Sequence, residues 1–129
     1  MKTLVLLKPD AVENKLVGQL LARFEDSFTL TAVKTVRMGG RLCRLHYEEH
    51  LSKDFYPKLE EFMTSGPLVA VVLDGDVATI RALGKAMRSE FHPEYAGGPR
   101  NLIHASDSEE SARREVALWF PELTSEKTS

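Results

Sequence analysis

The sequence predicts an α+β fold, a four-stranded antiparallel βαββαβ sheet covered by helices, on three observations. Apolar runs of strand length at 3–7 and 68–73 are each cut off by charged or turn-forming residues. Segment 28–38 alternates, Phe28, Leu30 and Ala32 against Thr29, Thr31 and Val33, as a strand with one solvated face does. Elsewhere apolar residues recur at three- and four-residue spacing, the period of a helix burying one stripe. At 129 residues, 43% hydrophobic and 28% charged, the chain is sized for one domain, 1–129, with one core.

Residues 3–7 make the first strand, closed by Lys8-Pro9-Asp10 because proline ends a hydrogen-bonded ladder. After Asn14, Leu16, Val17, Leu20, Leu21 and Phe24 share one helical stripe. Gly39-Gly40 ends the alternating strand, and Leu42, Leu45 and His46, then Phe55, Leu59, Phe62 and Met63, place two short helices separated near Ser52. Thr64-Ser65-Gly66-Pro67 turns the chain into 68–73, whose unbroken apolar character marks a central strand covered on both faces. Asp76 is placed to cap a helix from Val77 to about Met87. Two prolines and Gly97-Gly98-Pro99 make 91–100 a loop, and 101–105 reads as an inner strand. Ser106 and Glu109 stand in the capping-box relation ahead of a helix carrying Ala112, Val116, Trp119 and Phe120. The polar stretch 122–129 is expected to be a flexible tail. Strand, helix, strand, helices, strand, helix, strand is the ferredoxin-like order.

Composition narrows the function. With 17 basic and 19 acidic side chains the net charge is −2, unsuited to a surface built for nucleic acid, while a local anion pocket stays open. Cys43 is the only cysteine, which excludes an intrachain disulfide and fits a reducing, cytoplasmic setting. The first apolar run is too short for a membrane span or a signal-peptide core, so no membrane association is expected. Neither a P-loop nor a dinucleotide fingerprint, G-x-S-x-G or H-E-x-x-H occurs.

Histidines are the leads that remain. His46 and His50 are four apart on an expected helix, a spacing that suits a metal pair, but no third ligand accompanies them. His104 ends an expected strand just before a helix N-terminus, where unpaired N–H groups stabilise phosphate. Two readings stand for it: a nucleophile or base oriented by Glu115, or a hydrogen-bonded histidine closing the sheet. Lys8, at the mouth of the first strand, reads either as a solvated terminator or as a phosphate ligand.

Lys8-Pro9-Asp10-Ala11-Val12, His46-Tyr47, Thr64-Ser65-Gly66-Pro67 and, above all, Asn101-Leu102-Ile103-His104-Ala105-Ser106-Asp107-Ser108 with Glu115 together closely resemble the nucleoside diphosphate kinase family. The resemblance spans about residues 3–121. It implies transfer of a γ-phosphoryl group from a nucleoside triphosphate to a nucleoside diphosphate by a ping-pong route, with Mg²⁺ on the nucleotide. By it His104 is the phosphoryl carrier, Glu115 orients its ring, and Ser106 supports the same site. Lys8 supplies a cation, Tyr47 sits beside phosphate and histidine, Asn101 contacts the sugar, and Phe55 stacks the base. Arg81 and Arg88 match the family's two phosphate-binding arginines. The resemblance also implies a homo-oligomer built from dimers. The alternative is a nucleotide-binding or interaction module of the same fold without activity.

The chain departs from the family's pattern between the two arginines. A protruding loop with a phosphate-binding threonine is missing there, and the helix is expected to run straight from Arg81 to Arg88. Segment 91–100 is longer than its counterpart, so Lys85, His92 or Arg100 is expected to replace the lost phosphate contact.

Overall fold

The computed structural model of the chain describes residues 1–125. Strands β1 (Lys2–Leu7), β2 (Thr29–Arg37), β3 (Pro67–Asp74) and β4 (Ile103–Ala105) form a four-stranded sheet in the order β2-β3-β1-β4, with every neighbouring pair antiparallel. This is the order expected of a ferredoxin-like βαββαβ chain.

The two central strands read as apolar runs because each is covered on both faces. Leu4 and Leu6 of β1 and Leu68, Ala70 and Val72 of β3 join one core cluster with Cys43, Met63, Trp119 and Phe120. Their alternates Val5, Leu7, Val69, Val71 and Leu73 join a second with Phe24, Ile80 and Met87. Helices α3 (Gly40–His46), α4 (Tyr56–Met63) and α6 (Glu109–Trp119) therefore cover one face, while α1 (Pro9–Glu13), α2 (Val17–Glu25) and α5 (Val77–Phe91) cover the other. Each fully buried side chain of this size contributes about 1.5–3 kcal/mol relative to exposure. At the sheet edge, β2 alternates between exposed and half-buried residues, as its sequence predicts.

Several local features differ from the sequence reading. Lys8-Pro9-Asp10 does more than end β1: Pro9, fixed at a helical φ and needing no N–H partner, opens the single-turn helix α1. Helix α5 is capped by Asp76, whose carboxylate accepts from Thr79 N–H at 2.9 Å, but it runs past Met87 to Phe91. Strand β4 is a three-residue edge strand, not an inner one. The cap of α6 is Ser108, whose hydroxyl accepts from Ser111 N–H at 3.0 Å, and Ser106 is buried elsewhere. His46 ends α3 and His50 lies in a separate 3₁₀ turn, so they are not a pair on one helix. Residues Pro121–Ser125 form a short helix, α7, where a flexible tail is expected; 126–129 lie outside the described residues.

Strand β4 carries His104, and its register and its entry set where that side chain points. His104 pairs with Leu6, so it faces the α3 and α6 side, while Ile103 and Ala105 pack with the α5 side. Just before it, Leu102 adopts φ 70°, a conformation that costs a non-glycine residue about 1–3 kcal/mol. Two contacts hold it there: its N–H donates to buried Asp10 Oδ2 at 3.1 Å, and its carbonyl accepts from Lys8 N–H at 2.8 Å.

Candidate active site

The site grows around the short edge strand. His104 Nε2 lies 3.0 Å from Glu115 Oε1, and Ser106 Oγ donates to the same oxygen at 2.9 Å while accepting from Leu4 N–H at 3.3 Å. Ser106 has no exposed surface and Glu115 only 5%, so water competes little for these bonds. A carboxylate only accepts, so its partner Nε2 carries the proton, and Nδ1 keeps a free lone pair. The arrangement makes a fixed, nucleophilic tautomer.

Aromatic neighbours hold that imidazole from the side. The His46 ring lies 4.7 Å from the His104 ring at 76°, and Trp119 Nε1–H donates to His46 Nδ1 at 2.9 Å. Burial, and then the nearby charges of His104 and Arg114, hold the His46 pKa well below the usual histidine range, so His46 is neutral. The candidate ligand atoms of His46, His104 and Glu115 come within 4.8 Å of one another, and the His104–Glu115 and Trp119–His46 bonds hold the three side chains together. Tyr47 is buried with its ring 6.4 Å from His104, and its hydroxyl has no partner among the described residues. Burial, reinforced by Cys43 and Glu115, raises the Tyr47 pKa, which keeps the phenol protonated and able to donate.

On the other side of β4 the site is cationic. Lys8 is 5% exposed and donates from Nζ to Pro99 O at 3.2 Å. Burial pulls its pKa down to about 8, opposed by Asp10 and reinforced by Arg88. Arg88, on α5, donates from Nε to Asn101 O at 2.9 Å and from a terminal nitrogen to Ile103 O at 2.8 Å, tying the helix to the strand. Asn101 keeps a buried Oδ1 with no partner among the described residues.

A cavity of about 240 Å³ joins Lys8, Arg81, Lys85, Arg88, Asn101 and His104, and no carboxylate lines it. A second cavity of about 210 Å³ shares His104 and Arg81 and adds His46, Tyr47, Arg114 and Glu115. His104 thus stands where an anion pocket meets an aromatic, proton-donating one. Arginine and lysine with no carboxylate between them on the cavity wall attract a polyanion, and the volume suits the phosphate end of a ligand rather than a whole drug-sized molecule of ~300–1,000 Å³.

Of the residues singled out from sequence, the structure brings together His104, Glu115, Ser106, Lys8, Tyr47, Arg81, Arg88, Asn101 and Lys85. Phe55 lines neither cavity; it is 52% exposed beside His50, which does line the second. Arg100 stands outside the anion pocket and pairs with Glu13 Oε2 at 3.1 Å, and His92 packs on Tyr95. Sequence reasoning missed two supporting residues. Arg114 donates to the carbonyls of Leu45 and His46 and so fastens α6 to the end of α3. Asp10 clamps Leu102, and only its place next to Lys8-Pro9 hints at this.

Comparison with known proteins gives one family. A sequence profile described as nucleoside diphosphate kinase matches residues 1–124. The chain is 45% identical over 132 residues to a nucleoside diphosphate kinase of Cutibacterium acnes, covering 95% of this chain and 96% of that protein. It is 41% identical over 131 residues to one of Methanocaldococcus jannaschii, covering 94% of each. The solved structure of the Aquifex aeolicus nucleoside diphosphate kinase superposes with a TM-score of 0.81 at 33% identity, covering 92% of this chain and 94% of that one.

Proposed function

The chain belongs to the nucleoside diphosphate kinase family, and on that premise we infer that it is a phosphotransferase that moves a γ-phosphoryl group from a nucleoside triphosphate to a nucleoside diphosphate through His104. The observation that carries this reading is the single free ring nitrogen of His104 at the mouth of a carboxylate-free, four-cation cavity. Nδ1 donates its lone pair to the γ-phosphorus, an N–P bond forms, and the bond to the β-phosphate oxygen breaks, releasing the nucleoside diphosphate. A second diphosphate then attacks the phosphohistidine, and its terminal oxygen takes the group while Nδ1 recovers its lone pair.

Each residue has a task in that cycle. Glu115 holds the Nε2 proton and neutralises the charge that builds on the ring as Nδ1 is phosphorylated. Ser106 fixes Glu115. The equatorial oxygens of the transferring group carry most of the transition-state charge, and Lys8, Arg81 and Arg88 with the Tyr47 hydroxyl are the groups placed to meet it. Asn101 holds the sugar with its unpartnered amide oxygen. The base stays outside the cavity on the exposed Phe55 ring, a contact open to any base. With no carboxylate lining the anion pocket, its residues fit a divalent ion that arrives on the phosphates, and Mg²⁺ supplies further charge neutralisation there.

The whole chain acts as one domain in the cytoplasm, in a homo-oligomer built from dimers. In support, β2 is an unpaired sheet edge carrying exposed Val33, and no helix of the described residues is long and apolar enough to cross a membrane. Light scattering at an even multiple of 14.5 kDa supports the assembly, and a monomer or an odd number of chains refutes it.

Two kinetic results test the reaction. Initial rates with two nucleotides varied give parallel reciprocal plots, as a phosphoenzyme requires; intersecting lines point to direct transfer between two bound nucleotides. The second concerns pH. Lys8 is a cation below about pH 8 and loses its proton above it. Below saturation, kcat/KM therefore falls as pH rises through about 8, and Lys8→Arg removes that fall because a guanidinium stays charged. A profile unchanged by Lys8→Arg assigns the fall to another group.

A further inference from the structure

We propose that Lys85 is a phosphate-binding residue of this enzyme, a proposal that rests on the phosphotransfer reading. Helix α5 runs without interruption over Val77–Phe91, so Arg81, Lys85 and Arg88, spaced by four and then three residues, stand on one stripe of it. That stripe faces β4 across Gly84, where a Cβ would lie 3.6 Å from Ile103 Cγ2. A Cβ there would be in ordinary van der Waals contact, so helix and strand pack side by side at this point, and the cations stand on either side of it.

The cavity they border contains Lys8, Arg81, Lys85 and Arg88 with no carboxylate among its lining residues. Two of these cations already have protein partners: Lys8 on the Pro99 carbonyl and Arg88 on those of Asn101 and Ile103. Among the described residues no ion pair or side-chain hydrogen bond engages Arg81 or the Lys85 ammonium. Like charges four apart on a helix repel, so this pairing works against helix stability and is relieved by an anion between them. Asp76, Asp107 and Glu109 line the neighbouring cavity that Lys85 also borders, yet none forms a salt bridge with it. Its ammonium is left for the ligand.

The other two candidates face elsewhere. Arg100 pairs with Glu13 outside the cavity, and His92 packs on Tyr95. Of the three residues that could replace the lost phosphate contact, only Lys85 combines a place on the cavity wall with a free charge, and a four-carbon stem lets it follow a phosphate chain that moves through the cycle.

The test compares Lys85→Met with Lys85→Arg and with Lys34→Met, a charge-loss control on β2 at the opposite edge of the sheet. Calorimetry of adenosine, AMP, ADP and ATP reads the contact directly. Lys85→Met is expected to weaken ADP and ATP by about tenfold, the usual loss for one charge-assisted hydrogen bond, while leaving adenosine unchanged. Lys85→Arg restores most of the affinity, Lys34→Met binds like the parent protein, and phosphorylation of His104 at saturating ATP persists in every variant. ADP binding unaltered by Lys85→Met, or lost equally in Lys34→Met, overturns the proposal. Failure of the parent protein to bind ADP at all defeats the phosphotransfer reading instead.

Discussion

Replacing His104 with alanine removes phosphoryl transfer, lowering kcat by at least about 10⁴-fold, because among the described residues His104 is the one imidazole lining the anion pocket, while His50, whose Nδ1 also has no partner, lines only the second cavity. His46 is nearest, but its Nδ1 is taken by Trp119 and its ring is buried 4.7 Å from the one deleted. Ser106 has its hydroxyl between Leu4 and Glu115, and the Tyr47 phenol is held protonated. Nucleotide binding is expected to survive, since the four cations of the pocket are untouched. The alanine leaves a space the size of an imidazole, so added imidazole restores part of the turnover. A variant that still forms phosphoenzyme at the parent's rate contradicts the assignment of His104. Parent protein that binds ADP yet never exchanges phosphate makes this chain a binding module.

Glu115→Gln is expected to lower the rate of phosphoenzyme formation about 10- to 100-fold with little change in nucleotide KM. An amide carbonyl still accepts from His104 Nε2–H and from Ser106, so geometry is largely kept while the negative charge is lost. Hydrogen bonds to charged groups contribute about 1.5–3 kcal/mol, and this one strengthens as phosphorylation makes the ring more positive. The effect therefore falls on the chemical step rather than on binding. Rapid-quench measurement of the first turnover separates the two. An undiminished burst shows that Glu115 only packs, and a raised KM with normal burst places it in nucleotide binding.

How far the sequence foretells this site depends on what kind of contact makes it. The central strands are legible because burial on both faces leaves unbroken apolar runs at 3–7 and 68–73. Helix α5 is legible because Asp76 caps it locally. The motif around Asn101 and His104 leads to the cleft where His104 and the cations of α5 meet. Tertiary contacts are not legible. Ser106 looks like a capping-box serine by spacing, but its hydroxyl is drawn to Leu4 and Glu115, and Ser108 takes over the cap. His46 and His50 have helical spacing, but the helix ends between them and His46 turns to Trp119. Arg100 sits next to Asn101 in sequence, yet pairing with Glu13 takes it out of the pocket. Pro9 signals a strand end plainly, while the helix it starts is a single turn, too short to leave an apolar period of its own.

On the proposed mechanism the carrier atom is Nδ1 of His104, since Nε2 is committed to Glu115. Phosphorus and nitrogen NMR of ¹⁵N-histidine-labelled protein, phosphorylated with ATP and kept at alkaline pH, reports which nitrogen bears the phosphorus. A single phosphohistidine coupled through Nδ1 of His104 is the predicted result, and phosphate on Nε2, on another histidine or on a serine contradicts it.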